Sequence, residues 1–310
     1  MTANSLTLPT RMSRQLKMVR GGFRMLDSVT PALAGRIAAR MFLTPRKRPY
    51  SKRAQEVMSQ AKQIPVRHGS RRLATYVWEN DGPSILLVHG WESNASGMRA
   101  FVRPLLRQGF RVVAFDAPAH GYSAGKQTNM IDYGGAMQTV NRQLGPFYGI
   151  VCHSFGASTT LYTLSRDPAF HTEKVVSIAA PTRLMDMFHA WTGFVGASEP
   201  MQNRMMQSIV DRVGIPIETL QIDTAVTKLQ VPGLIIHDHQ DSIAAFANAE
   251  ALARNWQTAK LIPTDGLDHR GPLQSKQVIR QTVDFLTHEQ ITAKPQKVDL
   301  TAELYEINLS

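Results

Sequence analysis

Ser154, Asp241 and His269 lie along this chain in an order that suits nucleophilic acyl transfer. A serine hydroxyl is a weak nucleophile near neutral pH. It needs an imidazole to take its proton and a carboxylate to orient that imidazole. Letters alone do not choose the serine. Residues 121–125 read GYSAG, a literal G-x-S-x-G, whereas residues 152–156 read CHSFG, with Cys152 in the first glycine position. Chance produces about one S-x-G triplet in a chain of this length, so context decides. Ser123 follows DAPAH and precedes the polar GKQTNM, which reads as a glycine-rich loop after a strand. Ser154 follows the apolar YGIVC and precedes GASTTLYTL, whose spacing is helical. That is the strand–turn–helix setting that lifts a serine side chain clear of the backbone and points it at a helix N-terminus. Cysteine is small enough to stand two residues before the serine, and Gly156 with Ala157 keeps the following turn slim. Considered alone, Ser154 also reads as a helix cap.

The acid and base follow from the same geometry. In HDHQDS (237–242) the chain leaves the apolar GLII and reaches Asp241; in TDGLDHRG (264–271) it leaves AKLIP and reaches His269. If these runs are parallel strands, both residues project from the sheet edge that carries Ser154. Asp238, closer to its strand end, and Asp268, adjacent to the histidine, are the rivals. His237 and His239 alternate with carboxylates, but H-x-H without a third ligand cluster is a weak metal signal. No metal or cofactor is therefore expected. His120, near Ser123, reads as a loop histidine. An oxyanion developing on the substrate needs backbone donors. The N–H of Phe155 is one candidate, and that of Trp91, in the loop after SILLVHG, is the other. Gly90 lets the backbone turn closely there.

Short apolar runs at 72–79, 84–90, 111–118, 148–153, 174–180, 233–238 and 259–265 alternate with helical stretches at 97–108, 128–144, 155–165, 243–256 and 274–288. The pattern predicts an α/β fold with a doubly wound, mostly parallel sheet. About fifty residues, 182–230, separate two of the strands. They are rich in Met, Phe and Trp, and are expected to form a helical cap over the strand ends.

The chain has 310 residues, 43% of them hydrophobic and 19% charged, enough for a large core and against wholesale disorder. No apolar run reaches the roughly 18 residues that span a bilayer, and the N-terminus has no uninterrupted apolar region of the kind found in secretory signals. The single cysteine, Cys152, excludes an intramolecular disulfide and fits a reducing compartment. The expected location is the cytoplasm.

The net charge of +11 is concentrated: residues 1–48 carry ten Lys or Arg and one acid, Asp27. The chain thus divides into a basic N-terminal helical arm with its linker (1–53) and a nearly neutral body (54–310). No RNP, zinc-finger or homeodomain signature accompanies the charge, so nucleic acid is not an expected partner. The arm should hold two helices, with Thr30 as N-cap and Pro31 in the first helical turn of the second. There Leu33, Ile37 and Met41, with Ala34, Ala38 and Phe42, form an apolar stripe. The first reading is a helix whose stripe packs on the body. The second is peripheral contact with an anionic membrane, and the third is an organellar transit segment. TPRKRPYSKR (44–53) reads as a linker, and the tail from Thr292 is weakly patterned.

HGW (89–91), DAPAHGYS (116–123), CHSFGAS (152–158), HDHQD (237–241) and GLDHR (266–270) together resemble the α/β-hydrolase-fold serine hydrolases of the esterase and lipase-like kind, in order and spacing. The likeness covers roughly residues 70–288. It implies a Ser154–His269–Asp241 triad, an oxyanion hole at Trp91 and Phe155, and a structural role for the GYSAG loop. Cys152 departs from the usual glycine, and the arm matches nothing in the family pattern. The implied activity is hydrolysis of a small, apolar carboxylic ester without a cofactor. Thioesterase, lipase and C–C bond hydrolase are the alternatives within the fold, and a non-catalytic ligand-binding or membrane-associated protein is the alternative outside enzymes. Neither the fold nor these motifs fix the substrate or the oligomeric state.

Overall fold

Apolar runs too short for core helices become strands. In this computed structural model, which describes residues 14–287, the strands are β1 (Lys62–Gln63), β2 (Val66–His68), β3 (Arg71–Leu73), β4 (Thr75–Trp78), β5 (Ser84–Val88), β6 (Arg111–Phe115), β7 (Gly149–His153), β8 (Lys174–Ile178), β9 (Gly233–Asp238) and β10 (Ala259–Thr264). Those from β4 to β9 are buried almost throughout, while β1, β2, β3 and β10 are partly exposed. Residues 1–13 of the arm and the tail from Thr292 lie outside the described residues. The main sheet has the order β1-β4-β6-β5-β7-β8-β9-β10. It is parallel from β6 to β10, with β4 and β1 added antiparallel at one edge. This is the doubly wound, mostly parallel α/β fold that the strand–helix alternation predicts.

One predicted strand divides. Residues 72–79 supply β3, which pairs with β2 in a separate hairpin, and β4, which joins the sheet. The break falls at Ala74, whose N–H donates to Ser123 Oγ and whose carbonyl accepts from the Asp116 N–H.

The helices are α1 (Arg14–Val29), α2 (Pro31–Phe42), α3 (Lys52–Met58), α4 (Val102–Arg107), α5 (Met130–Leu144), α6 (Phe155–Arg166), α7 (Leu184–Val195), α8 (Glu199–Val213), α9 (Ile222–Ala225), α10 (Ala247–Asn255) and α11 (Lys276–Thr287). Alternate strand residues feed opposite faces of the sheet. Leu86 and Val88 of β5 join Tyr133 and Leu161 on one side, while Ile85 and Leu87 join Phe101, Leu105 and Leu286 on the other. Each such side chain removed from water contributes about 1.5–3 kcal/mol. From β5 the chain first steps outward to β6 and later returns to β7 on the other flank, so the connections part beyond the ends of β5 and β7. Ligand crevices open at such a point.

Between β8 and β9 the long insertion folds into α7, α8 and α9. The arm lies against it through Ala34, Ala38 and Phe42 of the predicted stripe, but not through the stripe's other half. Leu33, Ile37 and Met41 are exposed, and the buried face of α2 is Ala34, Gly35, Ala38 and Ala39. The reason is the closeness of the α2–α8 crossing: a Cβ on Gly35 would lie 2.7 Å from Arg204 Cβ and 2.8 Å from the Met201 carbonyl oxygen. Small side chains allow that approach and large ones are excluded from it. Thr30 stands at the boundary of α1 and α2, yet its hydroxyl donates back to the Leu26 carbonyl instead of capping α2. Asp27, the arm's one acid, is buried and accepts from the N–H and hydroxyl of Ser198, the N-cap of α8. A carboxylate is favoured there by the unpaired donors of the helix start.

The stretch read as a linker is also docked. Arg46 makes a two-pronged ion pair with Glu92, Lys47 donates to the Ser123 carbonyl, and Tyr50 is buried with its hydroxyl on Asp116. Among the described residues, no helix is long and apolar enough to cross a membrane.

Candidate active site

Sheet register brings the first two loops together. Parallel pairing sets Val88 of β5 opposite Cys152 of β7. Two residues further on, Gly90 and Ser154 are neighbours: a Cβ on Gly90 would lie 2.9 Å from Ser154 Cβ. Ser154 has φ 54° and ψ −129°, a conformation costing an L-residue about 1–3 kcal/mol. The turn is held by Ser154 N–H donating to the Ile178 carbonyl and by the Ser154 carbonyl accepting from Ala157 and Ser158. The hydroxyl therefore stands clear at the head of α6. Cys152 fits without a glycine because its side chain is buried in the core cluster with Val88, Ile150 and Leu161, and its Sγ–H donates to the Val176 carbonyl. Burial pushes that thiol up to about 12, so it stays neutral.

Gly156 does what its position in the motif requires. A Cβ there would lie 2.1 Å from the His89 carbonyl oxygen. Gly156→Ala should force α6 and the 89–91 loop apart, and a shift of about 1 Å at a reacting group costs roughly a hundredfold in rate. The check is kcat on a soluble ester together with a thermal melt. An alanine variant with unchanged kcat would show that this approach is not needed.

Ser154, His269 and Asp241 form one chain of hydrogen bonds. His269 Nε2 lies 2.8 Å from Ser154 Oγ, and His269 Nδ1 lies 2.8 Å from Asp241 Oδ2. A carboxylate can only accept, so Nδ1 carries the proton and Nε2 is left to accept from the serine. Burial by itself would raise the Asp241 pKa. Hydrogen bonds from His237, from His269 and from the Ala244 N–H outweigh it and hold the carboxyl well below its ordinary range. The Ile243 N–H also donates to it. Asp268 links the two loops: its Oδ1 accepts from both the N–H and the hydroxyl of Ser242.

The rival groups are occupied elsewhere. Asp238 accepts from the Thr264 hydroxyl and from the Leu267 and Gln240 N–H groups, so it braces the loop that carries His269. His239 is exposed and paired with Asp265. Among the described residues, no group of three or more His, Cys, Asp or Glu is arranged to hold a metal ion. Ser123 is buried, donating to the Asp116 carbonyl and accepting from the Ala74 N–H, so the GYSAG loop fastens β3, β4 and β6 together. His120 is a buried brace. Its Nδ1–H donates to the Pro118 carbonyl, its Nε2 accepts from the Glu92 N–H, and burial pushes it down to about 4.

Two supporting histidines escape a reading by motif. His237 is fully buried, with Nε2 2.7 Å from the Ala244 carbonyl oxygen and 3.3 Å from Asp241 Oδ2. His153 holds the other partner: its Nε2–H donates to the His269 carbonyl at 2.9 Å. Burial, reinforced by the adjacent His269 ring, pushes His153 down to about 3, so it is neutral. The letters were visible in HDHQD and CHSFG, but these contacts depend on loops folding back across the strand ends.

Trp91 and Phe155 flank the serine, with their rings edge-to-face at 5.2 Å. Among the described residues no protein acceptor takes either backbone N–H. Both residues line an apolar cavity of about 740 Å³, which meets the site through them and not through Ser154, His269 or Asp241 themselves. Its walls come from α7 and α8 (Met187, Trp191, Phe194 and Ile209) and, unexpectedly, from the arm, through Met41, Phe42 and Leu43. A cavity of about 440 Å³ near Tyr50, Arg72 and Tyr122 touches none of Ser154, His269 or Asp241.

Comparison with known proteins agrees with the fold. The profile of the alpha/beta hydrolase family matches residues 85–281. A bifunctional esterase/perhydrolase of Acinetobacter calcoaceticus is 25% identical over 248 residues, 65% of this chain and 90% of that protein. The structure of an esterase from Pyrococcus furiosus superposes with a TM-score of 0.61 at 18% identity, covering 78% of this chain and 98% of that one. Alpha/beta hydrolase domain-containing protein 10 from mouse gives 0.56 at 17% identity, covering 73% and 97%.

Proposed function

The chain belongs to the alpha/beta hydrolase family, and from that premise we propose that it is a serine hydrolase cleaving apolar carboxylic esters through an acyl-enzyme. The observation that carries the reading is the hydrogen-bond chain from Ser154 through His269 to Asp241, with Ser154 next in sequence to Phe155, which lines an apolar cavity. Ser154 Oγ attacks the ester carbonyl as His269 Nε2 takes its proton. Asp241 stabilises the imidazolium, and the N–H groups of Trp91 and Phe155 receive the oxyanion. His269 then passes the proton to the departing alcohol. A water, deprotonated by the same imidazole, releases the acid and restores the serine. The reaction consumes ester and water only, so it calls for no cofactor.

The test is a series of p-nitrophenyl esters of increasing chain length, with a fluorophosphonate probe to mark the nucleophile. Hydrolysis together with labelling at Ser154 is the expected result. Absence of both would favour a ligand-binding protein on this fold. In the same series, Phe194→Ala should change the chain-length profile, because Phe194 lines the cavity and is itself 40% exposed. A uniform loss at every length would mean that Phe194 only supports the cap. Trp191 is the less clean probe, since its ring also packs edge-on against Phe23 and Phe42 of the arm.

A further inference from the structure

The arm carries two exposed rows of large apolar side chains. Met18, Met25 and Val29 stand out from α1, at 73–76% exposure, and Leu33, Ile37 and Met41 stand out from α2. The helices do not need these rows for their own packing, which runs through Phe23 and Asp27 on α1 and through the Ala/Gly face on α2. Exposed cations lie among them: Lys17 and Arg24 on α1, Arg36 and Arg40 on α2. The arm's one acid is turned inward onto Ser198, so the outer face presents basic charge alone among its ionised groups.

This face also leads into the cavity. Among the residues that line it, Val19, Met41, Thr44, Arg46 and Phe194 are exposed, and these mark where it opens. Four of the five belong to the arm. Apolar rows interleaved with cations suit the headgroup region of an anionic bilayer, where acyl chains meet negative charge. They suit a second copy of this chain poorly, since a two-fold contact would set one basic face against another.

We propose that the outer face of α1 and α2 is a docking surface for an anionic lipid bilayer, placed so that the cavity opens at the membrane. Docking itself is independent of the ester-hydrolase reading, so the test reads binding and not turnover. The full chain is sedimented with vesicles of phosphatidylcholine alone and of phosphatidylcholine mixed with phosphatidylglycerol, at low and high salt. Binding is expected to the mixed vesicles only and to weaken in high salt. Arg36→Gln/Arg40→Gln and Leu33→Ser/Ile37→Ser should each weaken it by roughly tenfold or more, the first by lost charge and the second by lost insertion. All four side chains are exposed and none lines the cavity, so a melt at the wild-type temperature serves as the folding control. Failure of the wild-type chain to bind, equal binding to both vesicle types, or unchanged binding by both variants would overturn the proposal. So would a concentration-dependent dimer in sedimentation velocity that Leu33→Ser/Ile37→Ser abolishes without vesicle binding, which would assign the face to a second copy.

Discussion

Ser154→Ala is expected to lower kcat for ester hydrolysis by at least about a thousandfold and to abolish fluorophosphonate labelling, as when a covalent nucleophile is removed. The fold should be little affected, because the turn is held by backbone bonds to Ile178, Ala157 and Ser158 that alanine retains. Ser123→Ala is the matched control. It strips a buried hydroxyl from between the Ala74 N–H and the Asp116 carbonyl, which should destabilise the chain by about 1–3 kcal/mol. Activity per folded molecule should stay near that of the original. Equal losses of kcat in the two variants, at equal folding, would show that the nucleophile has been misassigned.

The second large effect should come from Asp241→Asn, with kcat lower by about 10⁴-fold. The side-chain oxygen of asparagine can still accept from Ile243 and Ala244, as Asp241 Oδ1 does. Its amide NH₂ then faces His269 Nδ1, which must become an acceptor and move its proton to Nε2. A protonated Nε2 cannot take the proton of Ser154. Asp238→Asn should behave differently. It loses acceptor capacity for the Thr264 hydroxyl and the Leu267 N–H, and so loosens the loop beneath His269. That is a loss of stability with a smaller loss of kcat. Kinetics and melting curves on both variants separate the two roles, and a larger kcat effect at Asp238 would reverse them.

The sheet was legible because its central strands, β4 to β9, are buried almost throughout and leave continuous apolar runs, and because most of these runs are followed by a helical period. The meeting of Ser154, Asp241 and His269 was legible for a related reason: in a parallel sheet, residues just past the strand ends share one edge. The arm packs on the body through the small half of its stripe, Ala34 and Ala38, and not through Leu33, Ile37 and Met41, because periodicity registers large apolar letters whereas the close α2–α8 crossing selects small ones. Nothing local in the sequence marks Asp27 as the partner of Ser198, or Met41, Phe42 and Leu43 as cavity walls. These are long-range contacts between segments whose own patterns are complete without them. His153 and His237 were missed because their partners, a backbone carbonyl and a folded-back aspartate, have no sequence signature.

The bond from Asp27 to the Ser198 N–H spans 171 residues. A ribosome adding about 5–20 residues per second needs on the order of 10–30 s to cover that distance. The arm is therefore made first and housed late. During that interval its apolar rows and its Ala/Gly face have no α8 to meet, and closing so long a loop comes after the local β–α units can form. The arm's contribution to the cavity wall thus has to wait for α8 to be made, and until then the nascent arm is free to meet another apolar surface.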